Sequence, residues 1–248
     1  MTINRRINLH IHSKYSDGKN KIEDIVKSAI NADLEYIAIT DHLSNSWKSN
    51  IIPTLDSREK IENYLDEIET INSHLREINE KLVVLKGIEI DLSSSHNYIS
   101  SLIKPNDFNI ILFEYLETPE AISFLKNIIN NWKISSNESD FPLLGLAHFD
   151  PSFFIFSDME VLFSFMVHFN IFLEFNSSYP QYYSRKYTQF YQKLKEREIA
   201  VAIGCDSHDV SNIGDIEDPI VTIENYDLTE NFLAFLAVLD KNFKTYQV

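Results

Sequence analysis

Short apolar runs and longer amphipathic stretches alternate along the chain. Residues 6–12 (RINLHIH), 36–40 (YIAIT), 82–90 (LVVLKGIEI), 108–113 (FNIILF), 142–148 (PLLGLAH), 171–176 (IFLEFN) and 199–204 (IAVAIG) have strand length and strand-like composition. Between them apolar residues recur at helical spacing. Over 21–33, Ile22, Ile25, Val26, Ala29 and Ile30 share one face. Over 57–80, Ile61, Leu65, Ile68, Ile71, Leu75 and Ile78 form a long stripe. Asp56 is placed to cap that helix, with Glu59 three residues on, as in a capping box. The same spacing predicts helices over about 119–132, 157–169, 184–197 and 229–240.

Repeated strand–helix units imply an α/β fold with parallel strands and right-handed crossovers. Seven such strands could close as a barrel or stay open. The polar residues favour closure, because each strand ends in, or just before, a His, Asp or Glu: His10 and His12, Asp41 and His42, Glu89, Glu114, His148, Glu174, Asp206 and His208. Parallel α/β barrels collect their chemistry at the carboxyl ends of all the strands, whereas an open sheet gathers only those near its switch point.

Composition narrows the functions further. With 248 residues, 44% of them apolar, the chain suits one domain spanning 1–248 with a sizeable core. No apolar run is long enough to span a bilayer, and MTINRRINLH shows neither a signal core nor a cleavage site. The expected location is cytoplasmic, with no membrane partner. A single cysteine, Cys205, excludes an internal disulfide and a zinc finger. The net charge of −15, from 37 acidic and 22 basic residues, repels a nucleic-acid backbone. No stable nucleic-acid complex is expected, and the sequence is silent on oligomeric state.

His10 and His12 are two apart on a strand, so both side chains project to one face and could share a metal. Alone, a His-x-His fits an exposed edge equally well. Its continuation decides the reading: HIHSKYSDG at 10–18, where Asp17 adds a hard oxygen ligand and Gly18 a tight turn, followed by ITDH at 39–42. Together with LKGIEID (85–91), LAH (146–148) and GCDSH (204–208), these motifs resemble, in order, the PHP family, named for polymerase and histidinol phosphatase. The long helix leading into VLKGIEIDL, and the segment LEFNSS, look most like the PHP domain appended to bacterial family X DNA polymerases. No polymerase domain is present in the sequence.

The resemblance implies a distorted (β/α)7 barrel of the PHP type, two or three divalent metal ions and phosphoesterase activity. By position, His10, His12, Glu89 and Asp206 would hold one metal. Glu89 would bridge to a second, shared with His148; Asp17, His42 and His208 would hold a third. Such mixed ligands suit Mn²⁺, Zn²⁺ or Fe²⁺. One position departs from the family. Its fourth strand ends in a metal-binding His, but here DFNIILFEYL places Glu114 there. Either the carboxylate is a harder ligand, or that site is weakened or lost.

Glu89, His208 and Asp41 form the expected catalytic set. Asp41 could orient a ligand or move a proton, or equally cap the next element. Glu174 and Asn176 could support the ligands or simply be buried and hydrogen-bonded. Lys14 and Arg185 are the expected substrate cations, with Lys48 and Lys186 as further phosphate clamps set against an ordinary solvated role. Cys205 reads as a small buried residue. The favoured reaction is in-line hydrolysis of a small phosphomonoester, such as histidinol phosphate or a nucleotide, by hydroxide formed at the metal site. A phosphodiesterase or 3′–5′ exonuclease, and a catalytically weakened metal- or partner-binding domain, are the alternatives.

Overall fold

Isoleucine, leucine and phenylalanine crowd the strand segments because both faces of each strand are covered. The computed structural model describes residues 3, 5–135, 141–156 and 158–244. Its strands are β1 (Ile7–Ile11), β2 (Tyr36–Ile39), the two-residue β3 (His42–Leu43), β4 (Val83–Asp91), β5 (Ile110–Glu114), β6 (Leu143–Leu146), β7 (Ile171–Asn176) and β8 (Val201–Gly204). They pair in parallel in the order β1-β2-β4-β5-β6-β7-β8, and β3 pairs with β4. The ring is nearly closed. The His12 N–H donates to the Ser207 carbonyl (2.8 Å) and the Ser207 N–H to the His10 carbonyl (3.2 Å), joining the first strand to the segment after the last. This is the distorted seven-stranded barrel expected.

The helices are α1 (Ile22–Asn31), α2 (Arg58–Glu77), α3 (His96–Leu102), α4 (Pro119–Ser135), α5 (Met159–Phe169), α6 (Thr188–Glu196), α7 (Glu217–Asn225) and α8 (Thr229–Phe243). Helix α2 buries Ile61, Tyr64, Leu65, Ile68 and Leu75. The Tyr64 hydroxyl lies 2.6 Å from the Ile39 carbonyl and 2.9 Å from that of Gly87, anchoring the helix to β2 and β4. Its cap is Ser57, not Asp56: the Ser57 hydroxyl accepts from the Lys60 N–H at 3.3 Å. Glu59 therefore sits one position too early to complete a capping box. The segment expected as a helix over 184–197 opens with 3-10 turns at Pro180–Tyr183 and Arg185–Tyr187 before α6. Residue 157 of the expected 157–169 helix lies outside the described residues. Strand β3 and helices α3 and α7 were not expected from the pattern. Among the described residues, no helix is long and apolar enough to cross a membrane.

Candidate metal centre

The barrel delivers the chemistry-bearing residues to one rim. His10 and His12 leave β1 fully buried on the same side, and Asp17 follows in the next loop. Pairing of β3 with β4 sets His42 level with Glu89, and β4 with β5 sets Glu89 level with Leu112, so Glu114 lies two residues further along. His148 follows β6; Asp206 and His208 follow β8. All nine expected metal ligands thus occupy the carboxyl end of the barrel.

Their donor atoms converge. His10 Nε2 lies 3.0 Å from His12 Nε2, 3.3 Å from Glu89 Oε1 and 3.4 Å from Asp206 Oδ1, and His12 Nε2 is 2.9 Å from Asp206 Oδ1. Ligand atoms held ~2.0–2.2 Å from a tetrahedral ion stand roughly 3.3 Å apart, so this is a coordination-shell spacing. A second group forms around Asp17 Oδ1, which is 3.2 Å from His208 Nε2 and 3.6 Å from His42 Nε2. Asp17 Oδ1, Glu89 Oε1 and Glu89 Oε2 are buried without a hydrogen-bond partner. Orphaned carboxylate oxygens are costly unless a cation meets them, and this donor set fits divalent cations. His148 Nε2 is 3.2 Å from Glu89 Oε1, but the three tightest ligand groupings among the described residues include neither His148 nor Asp206.

The neighbouring side chains fix the ligands. Glu174 Oε1 accepts from His10 Nδ1 at 2.9 Å, leaving the lone pair of Nε2 for a metal. Glu174 also accepts from the His148 N–H and the Asn176 amide, which gives both residues the supporting role open to them. Gly204 permits this approach, since a Cβ there would sit 1.8 Å from Glu174 Oε1. Asp41 departs from its catalytic expectation. Its oxygens accept from the N–H and hydroxyl groups of both Ser13 and Ser16, so it shapes the 13–16 loop. Gly18 matters for close approach: a Cβ would lie 2.1 Å from the His12 carbonyl oxygen. Sequence reasoning missed the backbone strain at the rim. Tyr115, His148 and Asp206 all have positive φ (63°, 30° and 49°), a conformation that persists only where the surroundings enforce it.

A cleft of about 450 Å³ opens over these residues, lined in part by Trp47, Lys48, Tyr115, Phe149, Tyr179 and Tyr182. Lys14 and Arg185, the expected substrate cations, are exposed and do not line it. Lys14 sits in a surface turn and Arg185 opens the 3-10 turn Arg185–Tyr187, where Lys186 is exposed too. Lys48 reaches the site instead. Cys205 is buried, with Asn8 Nδ2 2.7 Å from its sulfur.

Residues 8–141 match the model of the PHP domain, more than half of the chain. The chain belongs to the PHP family. A stretch of 84 residues is 31% identical to the DNA polymerase/3′–5′ exonuclease PolX of Bacillus subtilis. It covers 34% of this chain and only 13% of that polymerase. Among solved structures, histidinol phosphate phosphatase of Lactococcus lactis, complexed with zinc, L-histidinol and phosphate, superposes with a TM-score of 0.61 at 16% identity. That match covers 90% of this chain and 94% of the other. A structure from work on YwqE of Bacillus subtilis and CpsB of Streptococcus pneumoniae, described as metal-dependent tyrosine phosphatases, gives 0.56 at 16%, covering 88% and 86%. At such identity these two matches speak to the fold.

Without metal, protons compensate charge in this PHP site. Burial, reinforced by charge on His42, lowers His12 to about 3. Burial also opposes charge on His42, but Glu89 and then Glu114 outweigh it and raise His42 to about 10. Against burial, Glu89 raises His148 as well. A raised folded-state value contributes stability that is complete below the unfolded value of 6.5 and is lost as pH climbs towards 10. The chelated protein is therefore expected to melt at a lower temperature at pH 9 than at pH 7. Mn²⁺ should flatten this dependence, because the ion displaces the protons. Melting of the chelated protein at an equal or higher temperature at pH 9 would contradict this picture.

Proposed function

We propose that this PHP chain is a metal-dependent phosphoesterase that hydrolyses a small phosphate monoester carrying a ring in its alcohol portion. The observation that carries this reading is the convergence of His10, His12, Glu89 and Asp206 at coordination spacing beneath a cleft of about 450 Å³. That volume suits a small molecule. Its aromatic wall, in which the rings of Tyr179 and Tyr182 stack with centroids 5.5 Å apart, suits a flat leaving group. Histidinol phosphate, a nucleotide and an aryl phosphate all meet this description.

Divalent cations held by His10, His12, Glu89 and Asp206 would lower the pKa of water and offset phosphoryl charge. Glu89, touching His10, His42 and His148, holds the two halves of the ligand cluster together. Glu174 keeps His10 in the ligand tautomer, and Asp17 and His208 face each other as donors of the second ligand group. Lys48 projects a positive charge into the cleft for a phosphoryl oxygen.

The identity shared with the polymerase/exonuclease favours a second reading, hydrolysis at a nucleic-acid end. The net charge of −15 argues against it, most strongly at low salt. A substrate panel with added Mn²⁺ separates the two. The expected result is a higher kcat/KM for a small monoester than for a single-stranded oligonucleotide of about ten bases, with the oligonucleotide losing further ground as salt is lowered. Preference for the oligonucleotide by roughly tenfold or more would make the chain a nuclease.

A further inference from the structure

We infer that the ammonium of Lys48, seated on Glu114, fills a cation position at the end of β5, so that the centre combines two divalent metals with one fixed lysine charge. The inference rests on the metal-dependent reading above and names how one part of that site is built.

Glu114 is 1% exposed, and Lys48 Nζ lies 2.7 Å from each of its carboxylate oxygens. The same carboxylate belongs to the third grouping capable of holding a metal, His42, Glu89 and Glu114. A divalent ion bound there would sit ~2.0–2.6 Å from an oxygen that the ammonium already grips, bringing two cations into near contact. One cation at a time is the electrostatic solution, and the chain supplies its own.

The lysine is held for the purpose. It lies in the 3-10 turn Trp47–Asn50, whose cap Ser46 accepts from the Lys48 N–H. The Ser46 hydroxyl in turn donates to Asp91 at the end of β4, as does that of Ser44 at 2.7 Å. The Tyr115 ring stands 5.3 Å from Nζ. Two N–H groups of the ammonium go to Glu114. His42 Nδ1 lies 3.4 Å from Nζ and 2.7 Å from Glu89 Oε2. Lys48 also lines the cleft, where its charge faces an incoming anion. A harder carboxylate at this position thus serves to fix a lysine rather than to ligate a metal.

The test counts Mn²⁺ bound per chain by elemental analysis and titration calorimetry in the absence of any substrate, so the outcome stands whether or not the chain proves to be a phosphatase. Wild type is expected to bind two ions. Glu114→Gln should still bind two, and Lys48→Arg, which keeps the charge, should also bind two. Lys48→Met should expose Glu114 and raise the count to three. If Lys48→Met does not fold, wild type and Glu114→Gln decide between them. Three ions in wild type with one lost in Glu114→Gln would overturn the inference. So would a folded Lys48→Met that still binds two.

Discussion

Glu89→Ala is expected to abolish turnover and empty the metal centre. Glu89 is fully buried, and its two oxygens lie within 3.7 Å of imidazole nitrogens from His10, His12, His42 and His148. Removing it takes away the carboxylate that joins the ligand groups and leaves several imidazoles facing one another. A loss of several kcal/mol of metal-derived stabilisation corresponds to roughly 10³-fold or more in rate. The check is kcat/KM on a small monoester, with bound Mn²⁺ measured in parallel. A variant that keeps full metal and turns over within about tenfold of wild type would remove Glu89 from the centre.

Gly204→Ala is expected to damage the site without changing any ligand. The new methyl would fall 1.8 Å from Glu174 Oε1 and 2.8 Å from the His10 Cβ. Glu174 must then leave His10, which loses the acceptor that sets its tautomer. Displacing such a supporting partner typically costs ~10–100-fold in metal affinity or activity, and overpacking adds about 1–3 kcal/mol of destabilisation. Mn²⁺ titration and thermal melting measure the two effects separately. Glu174→Gln, which preserves shape, should weaken metal binding with little loss of melting temperature. Unchanged Mn²⁺ affinity in both variants would contradict the supporting role.

Most of the barrel and the ligand cluster was legible in the sequence, because the same residues carry both signals. A strand buried on both faces reads as an apolar run, and the polar residue that ends it marks the rim. His10, His12, Glu89, Asp206 and His208 stand out this way. Other parts have no such signature. Strand β3 is two residues long, too short for any periodicity. Helix α7 contains Pro219, and α3 is seven residues rich in serine, so neither resembles a helix in isolation. Lys14 and Arg185 fall in or near segments expected to form loops at the carboxyl rim, but reach depends on which way each loop turns. The pairing of Lys48 with Glu114 links residues 66 positions apart and follows only from the packing of the 44–50 loop on Asp91. The steric role of Gly204 likewise depends on β7 lying beside β8.

If the convergent ligands hold metal that drives ester hydrolysis, protein stripped by a chelator and assayed on a small aryl phosphate will show no turnover until Mn²⁺ is added. Asp206→Ala, whose missing carboxylate faces both His10 and His12, should recover little with Mn²⁺. Wild-type turnover by Asp206→Ala in metal-free buffer would contradict metal-driven hydrolysis.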